Sequence, residues 1–88
     1  MTNRQHLWSQ LETELRALLA SMNDFMPAKD AKMVGEFIEH REYGLALETM
    51  DLSAKEEKIA RSPEQMRQFE HLAKLMGMDP QNISMDLR

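Results

Sequence analysis

Apolar residues recur along this chain in four blocks, and each block has the spacing of one helix face. In the first, Leu7, Trp8, Leu11, Leu15, Leu18, Leu19 and Met22 fall one, three or four residues apart, which is the signature of a 3.6-residue period. Thr2 or Asn3 is placed to cap this helix, Trp8 is expected half exposed near its start, and Asn23, Asp24 and Pro27 end it. A second helix is predicted from residue 28 or 31 to residue 41, with Ala31, Val34, Phe37 and Ile38 inward. Glu42-Tyr43-Gly44 then reads as a corner, because glycine accepts a tight turn. A third helix starts at Tyr43 or Gly44 and turns Leu45, Ala46, Leu47, Met50 and Leu52 inward. It is predicted to end near Leu52, leaving residues 53–61 as a charged loop or a short helical turn.

The fourth helix carries the strongest start signal. In Ser62-Pro63-Glu64-Gln65, serine caps, proline takes the first helical position where its missing N–H is harmless, and glutamine reaches back to the cap. Met66, Phe69, Leu72, Ala73 and Met76 form its stripe; Gly77 and Pro80 close it. Residues 81–88 have no helical period and are expected to be mobile, although Ile83, Met85 and Leu87 alternate. The only Val and Ile residues are Val34, Ile38, Ile59 and Ile83, so strands are not expected. The predicted fold is all-α, a single compact bundle of about four amphipathic helices over 1–88.

Composition narrows the function classes. Eighty-eight residues form one domain with a modest core. The absence of cysteine excludes a disulfide scaffold, a thiolate metal site and a cysteine nucleophile, and it favours a cytoplasmic setting, since small secreted domains usually need disulfides. The most apolar early stretch, residues 15–22, contains Arg16 and follows Glu12 and Glu14, unlike a signal peptide. No run approaches a membrane span. The net charge of −4 argues against direct nucleic-acid binding and suits a basic partner.

No chemistry-bearing motif emerges, and the expectation is of no catalytic residue, no metal and no cofactor. His6, His40 and His71 lie among polar residues; Glu36 and His40 share a face but have no further ligands at metal-site spacing. None of Ser9, Ser21, Ser53, Ser62 and Ser84 sits in a Gly-x-Ser-x-Gly pattern, and the three glycines are isolated. The nine methionines fill gaps in a core or line an adaptable surface; Met22, Met26, Met50, Met66 and Met76 fit the stripes, while Met33, Met78 and Met85 do not.

Charge is unevenly placed. From residue 36 to 57, seven acids stand against two bases, Arg41 and Lys55, a local net of −5 within a total of −4. A solvated helix face is one explanation. The other is an electronegative patch that steers a basic protein partner, with Glu36, Glu39, Glu42, Glu48 and Asp51 as its charges and Tyr43 as an aromatic anchor.

The phrase Phe37-Ile38 followed by Glu42-Tyr43-Gly44-Leu45-Ala46-Leu47-Glu48 resembles the central segment of the MafI family and related small immunity proteins of bacterial contact-dependent growth inhibition systems. The resemblance runs from Glu36 to Met50 and extends more loosely over residues 62–80, where Leu72 to Asp79 is similar to the family's last helix. It implies a cytoplasmic antitoxin that binds and neutralises the C-terminal domain of a cognate toxin, often a nuclease, without chemistry of its own. The alternative is a self-associating helical structural or regulatory module whose Leu and Met stripes are buried in a homodimer.

Overall fold

The computed structural model describes residues 4–78 and contains four helices: α1 (Arg4–Met22), α2 (Ala28–Glu39), α3 (Tyr43–Glu56) and α4 (Pro63–Leu75). The predicted all-α bundle is the observed fold, with no strand among the described residues. The cap expected at Thr2 or Asn3 and the terminal segment 81–88 lie outside the described residues. No described helix is long and apolar enough to cross a membrane.

Packing follows the stripes. Leu11, Leu15, Leu18 and Met22 of α1 are buried against Val34 and Ile38 of α2, Ala46, Leu47 and Met50 of α3, and Phe69, Leu72 and Ala73 of α4. Helix α1 touches all three others, and α2 and α3 form the most extensive pair. Leu15, Leu18, Ile38 and Leu47 are each 0% exposed, so truncating any of them to alanine should cost about 2–5 kcal/mol.

Three helices end in the same way. After α2, Arg41 N–H donates to the Ile38 carbonyl and Glu42 N–H to the Phe37 carbonyl. After α3, Lys58 N–H donates to Lys55 and Ile59 N–H to Ala54; after α4, Gly77 N–H donates to Lys74 and Met78 N–H to Ala73. Each is a Schellman closure, which needs a left-handed residue just past the helix. Gly77 supplies it freely at φ 75°, whereas Arg41 and Lys58 adopt φ 61° and 54° with side chains that disfavour it. The corner before α3 is therefore turned by Arg41, not by Gly44, which sits inside the first turn of α3.

This makes an unequal pair of substitutions. Lys58→Gly should relieve the backbone and stabilise the fold by about 0.5–1 kcal/mol. Arg41→Gly gains the same relief but removes a guanidinium that lies 5.4 Å from the Trp8 ring centroid, a contact of about 0.5–1 kcal/mol. Its net effect should be near zero. Urea melts of both variants check this; equal stabilisation by the two would show that the Trp8 contact contributes nothing.

Helix α4 starts as its sequence predicts. Ser62 Oγ accepts from Gln65 N–H at 3.0 Å, Gln65 Oε1 accepts from Ser62 N–H at 3.0 Å, and Pro63 occupies the first helical position. Such a cap is worth about 1 kcal/mol. Four features differ from the expectation. Helix α3 runs on through Glu56, because Ser53 and Ala54 are buried rather than in a loop. Leu45 is 46% exposed and Met66 51% exposed, although the helical period turns both inward. Phe37 is only half-buried. Met78, which had no place in a stripe, packs against the core.

Candidate protein-interaction surface

The six residues of the expected acidic patch separate into two groups. Glu36 and Glu39 on α2 and Glu42 at the corner are exposed, and Glu48 on α3 is half-buried. Tyr43 and Asp51 are not on the surface: they are 6% and 4% exposed. The expectation that these two side chains face a partner is corrected by their geometry.

Asp51 is held inside by two cations. Arg61 Nη1 donates to its Oδ1 at 2.7 Å, and Lys55 Nζ lies 3.3 Å from its Oδ2. The same guanidinium covers the Phe69 ring at 4.6 Å from its centroid. One carboxylate thus ties the end of α3 to the link before α4 and to the face of α4. Close by in the chain, Ser53 Oγ donates to Asp30 Oδ2 at 2.8 Å, which fastens the end of α3 to the start of α2.

Tyr43 enters the core at the first position of α3, where it lines a hollow with Glu12 of α1. Burial raises its pKa above 10.0, and the nearby Glu12 carboxylate adds to the rise; Arg41 and Arg16 oppose it. The phenol is therefore harder to ionise folded than unfolded. Its contribution is complete below about pH 10 and is lost as pH rises through the folded value. Tyr43 is the only tyrosine, so ultraviolet phenolate titration reads it alone. The folded protein should titrate above the urea-unfolded chain; coincident curves would contradict the burial.

Around Tyr43 the structure assembles a cluster that no sequence spacing announces. Trp8, Ser9, Glu12, Arg41 and Tyr43 line one polar hollow of about 110 Å³. Trp8 is 37% exposed under the Arg41 guanidinium, and Glu12 Oε2 pairs with Arg16 Nη2 at 3.1 Å. The hollow is smaller than the roughly 300–1,000 Å³ of a small-molecule pocket, but Trp, Tyr and Arg are the residue types that anchor protein interfaces. The half-exposed position expected of Trp8 and the aromatic-anchor reading of Tyr43 are the signals of this cluster in the sequence.

Tertiary contact also redistributes the charge. The Asp30–Ser53 bond brings the start of α2, with Lys29 and Lys32, to the end of α3 that carries Glu56 and Glu57. Acid and base are mixed there. The surplus of acid is clearest at the other end of the α2–α3 hairpin, at Glu36, Glu39 and Glu42, where the guanidinium of Arg41 is engaged by Trp8.

His71 Nε2 lies 3.2 Å from Glu14 Oε1, with both side chains partly in solvent, and Gln10 Nε2 donates to Glu14 Oε2 at 3.0 Å. Among the described residues no cluster of three or more His, Asp or Glu side chains could hold a metal ion. Compared with known proteins, the chain matches no family model, no curated protein and no solved structure.

Proposed function

We propose that this chain works by binding another protein, as an immunity protein that neutralises a basic toxin domain in the cytoplasm of the cell that makes it. The observation that carries this reading is the exposed carboxylate group Glu36, Glu39 and Glu42 at one end of the α2–α3 hairpin, next to the Trp8–Arg41 cluster. Carboxylates in this arrangement attract a basic surface over about a Debye length, ~8–10 Å at ordinary salt. A nuclease toxin needs such a surface to hold phosphates, so an acidic helical face laid over or beside its cleft excludes nucleic acid without chemistry.

The test begins with the gene immediately upstream, which should encode a large secreted protein with a variable C-terminal domain. That domain, produced alone, should bind this chain tightly, and co-expression of the chain should restore growth to cells carrying it. An unrelated gene upstream, or a toxin domain that neither binds nor is neutralised, counts against the reading.

Self-association is the second reading, and the exposed Met33 and Leu45 favour it. Sedimentation equilibrium separates the two: a stable homodimer supports it, and a monomer at high concentration removes it.

A further inference from the structure

Among the described residues, two arginines lie over aromatic rings. Arg61 covers Phe69 at 4.6 Å from its centroid and donates through Nη1 to Asp51 Oδ1 at 2.7 Å. The ring fixes the plane of the guanidinium, and a carboxylate takes its donors. Arg41 lies over Trp8 at 5.4 Å, yet its guanidinium makes no hydrogen bond or ion pair among the described residues. Glu39 and Glu42 flank it in the chain, and neither pairs with it. The second arginine thus repeats the arrangement of the first, with the carboxylate missing and the side chain open to solvent. Its backbone is held in place against preference: Arg41 turns the corner at φ 61°, where glycine is relaxed and a side chain is disfavoured. Strain of this kind collects at binding sites.

The hollow beside Arg41 has more donors than acceptors to offer. Trp8, Ser9, Glu12 and Tyr43 line it with Arg41. The guanidinium and the indole N–H only donate, and the two hydroxyls do either. The one obligate acceptor, Glu12, is already engaged by Arg16, whose Nε and Nη2 each lie 3.1 Å from its Oε2. The charges felt at the Tyr43 hydroxyl are those of Glu12, Arg41 and Arg16, one anion against two cations. Such a lining suits an acceptor with a single negative charge. A phosphate group carries up to about two, and the second would meet Glu39 and Glu42 without a cation to offset it. The planar fork of arginine matches a carboxylate.

We infer that the hollow between Trp8 and Tyr43 is a socket for one acidic side chain, an aspartate or glutamate of the partner, held by the Arg41 guanidinium. This rests on the reading that the chain acts by binding a basic protein, and it adds one reversed charge to that interface. A partner whose bases meet Glu36, Glu39 and Glu42 must also place an acid at Arg41. The pair therefore selects among basic proteins, because a lysine at that point meets a like charge.

Trp8 is the only tryptophan, so its indole N–H reports on the hollow in the isotopically labelled full chain, beside the Nε–H of Arg41. The probe is N-acetylglutamate N-methylamide, titrated at constant ionic strength, with its glutamine and lysine counterparts and inorganic phosphate as comparisons. The glutamate probe should move both signals saturably, with a dissociation constant on the order of 10 mM, and bind roughly tenfold more tightly than the glutamine probe. Arg41→Gln should abolish the response. Arg41→Lys, which keeps the charge and loses the fork, should weaken it roughly threefold or more. Both variants should keep the helical circular dichroism of the parent, the side chain being exposed. With the toxin domain, Arg41→Gln should weaken binding roughly tenfold.

No response to the glutamate probe, an equal response to glutamine or phosphate, a stronger response to lysine, or shifts centred on Lys32 and Lys74 overturns the inference. So does a toxin domain that binds the Arg41→Gln variant as tightly as the parent, a result that leaves the proposed function standing. A chain that takes the glutamate probe at Trp8 and Arg41 but binds no toxin domain keeps the socket and loses the proposed function.

Discussion

Asp51→Ala should cost about 3 kcal/mol of stability, near the lower end of what breaking a buried ion pair costs. The carboxylate is 4% exposed and bonded to Arg61, whose side chain is 16% exposed. Removing it leaves a largely buried guanidinium without its counter-ion and frees the link before α4. The cost stays near that lower end because the second cation, Lys55, is 55% exposed and regains water. A domain of this size holds roughly 5–10 kcal/mol in total, so the melting temperature should fall by about 12–24 °C. Lys55→Ala should change stability by less than about 0.5 kcal/mol. Arg61→Ala should approach the Asp51 variant, because it also uncovers Phe69. Paired urea and thermal melts decide this, and an Asp51→Ala variant within about 1 kcal/mol of the parent would contradict the assigned role. The point bears on function as well. Any loss of partner binding in an Asp51 variant is expected to come from a loosened α3–α4 junction, not from a lost surface contact.

How far the sequence could be read is clear from individual residues. Leu11, Leu15, Leu18 and Met22 announce α1 because burial against one core imposes a 3.6-residue period. Ser62, Pro63 and Gln65 announce α4 because their chemistry acts within one turn. The end of α3 is not legible: Asp51 and Ser53 are polar residues that become buried only because Arg61 and Asp30, from other elements, satisfy them. The corner is not legible for a related reason. Glycine is the usual left-handed residue, yet Arg41 takes that conformation and stacks on Trp8, a contact that exists only once α1 and the corner meet.

The site divides in the same way. Glu36, Glu39 and Glu42 are exposed because they lie away from the apolar faces that the pattern defines. Tyr43 is buried at the start of α3 beside Glu12, a neighbour far earlier in the chain that only the tertiary fold brings to it. Leu45 and Met33 are exposed, and hydrophobicity alone cannot say whether a residue meets its own core or solvent.

The second large effect concerns association. Glu36→Lys with Glu39→Lys reverses two exposed charges at the acidic end of the hairpin and disturbs no buried contact, so both variant and parent should fold with the same melting temperature. Steering acts before contact, so the change belongs in the association rate rather than in dissociation. The deciding measurement is the association rate of parent and double variant with the isolated toxin domain, at low and at high salt. The parent should associate roughly tenfold faster than the variant at low salt, and the two rates should converge at about 1 M, where the Debye length falls to ~3 Å. Equal rates and equal salt dependence for the two proteins would contradict an acidic binding surface at Glu36, Glu39 and Glu42.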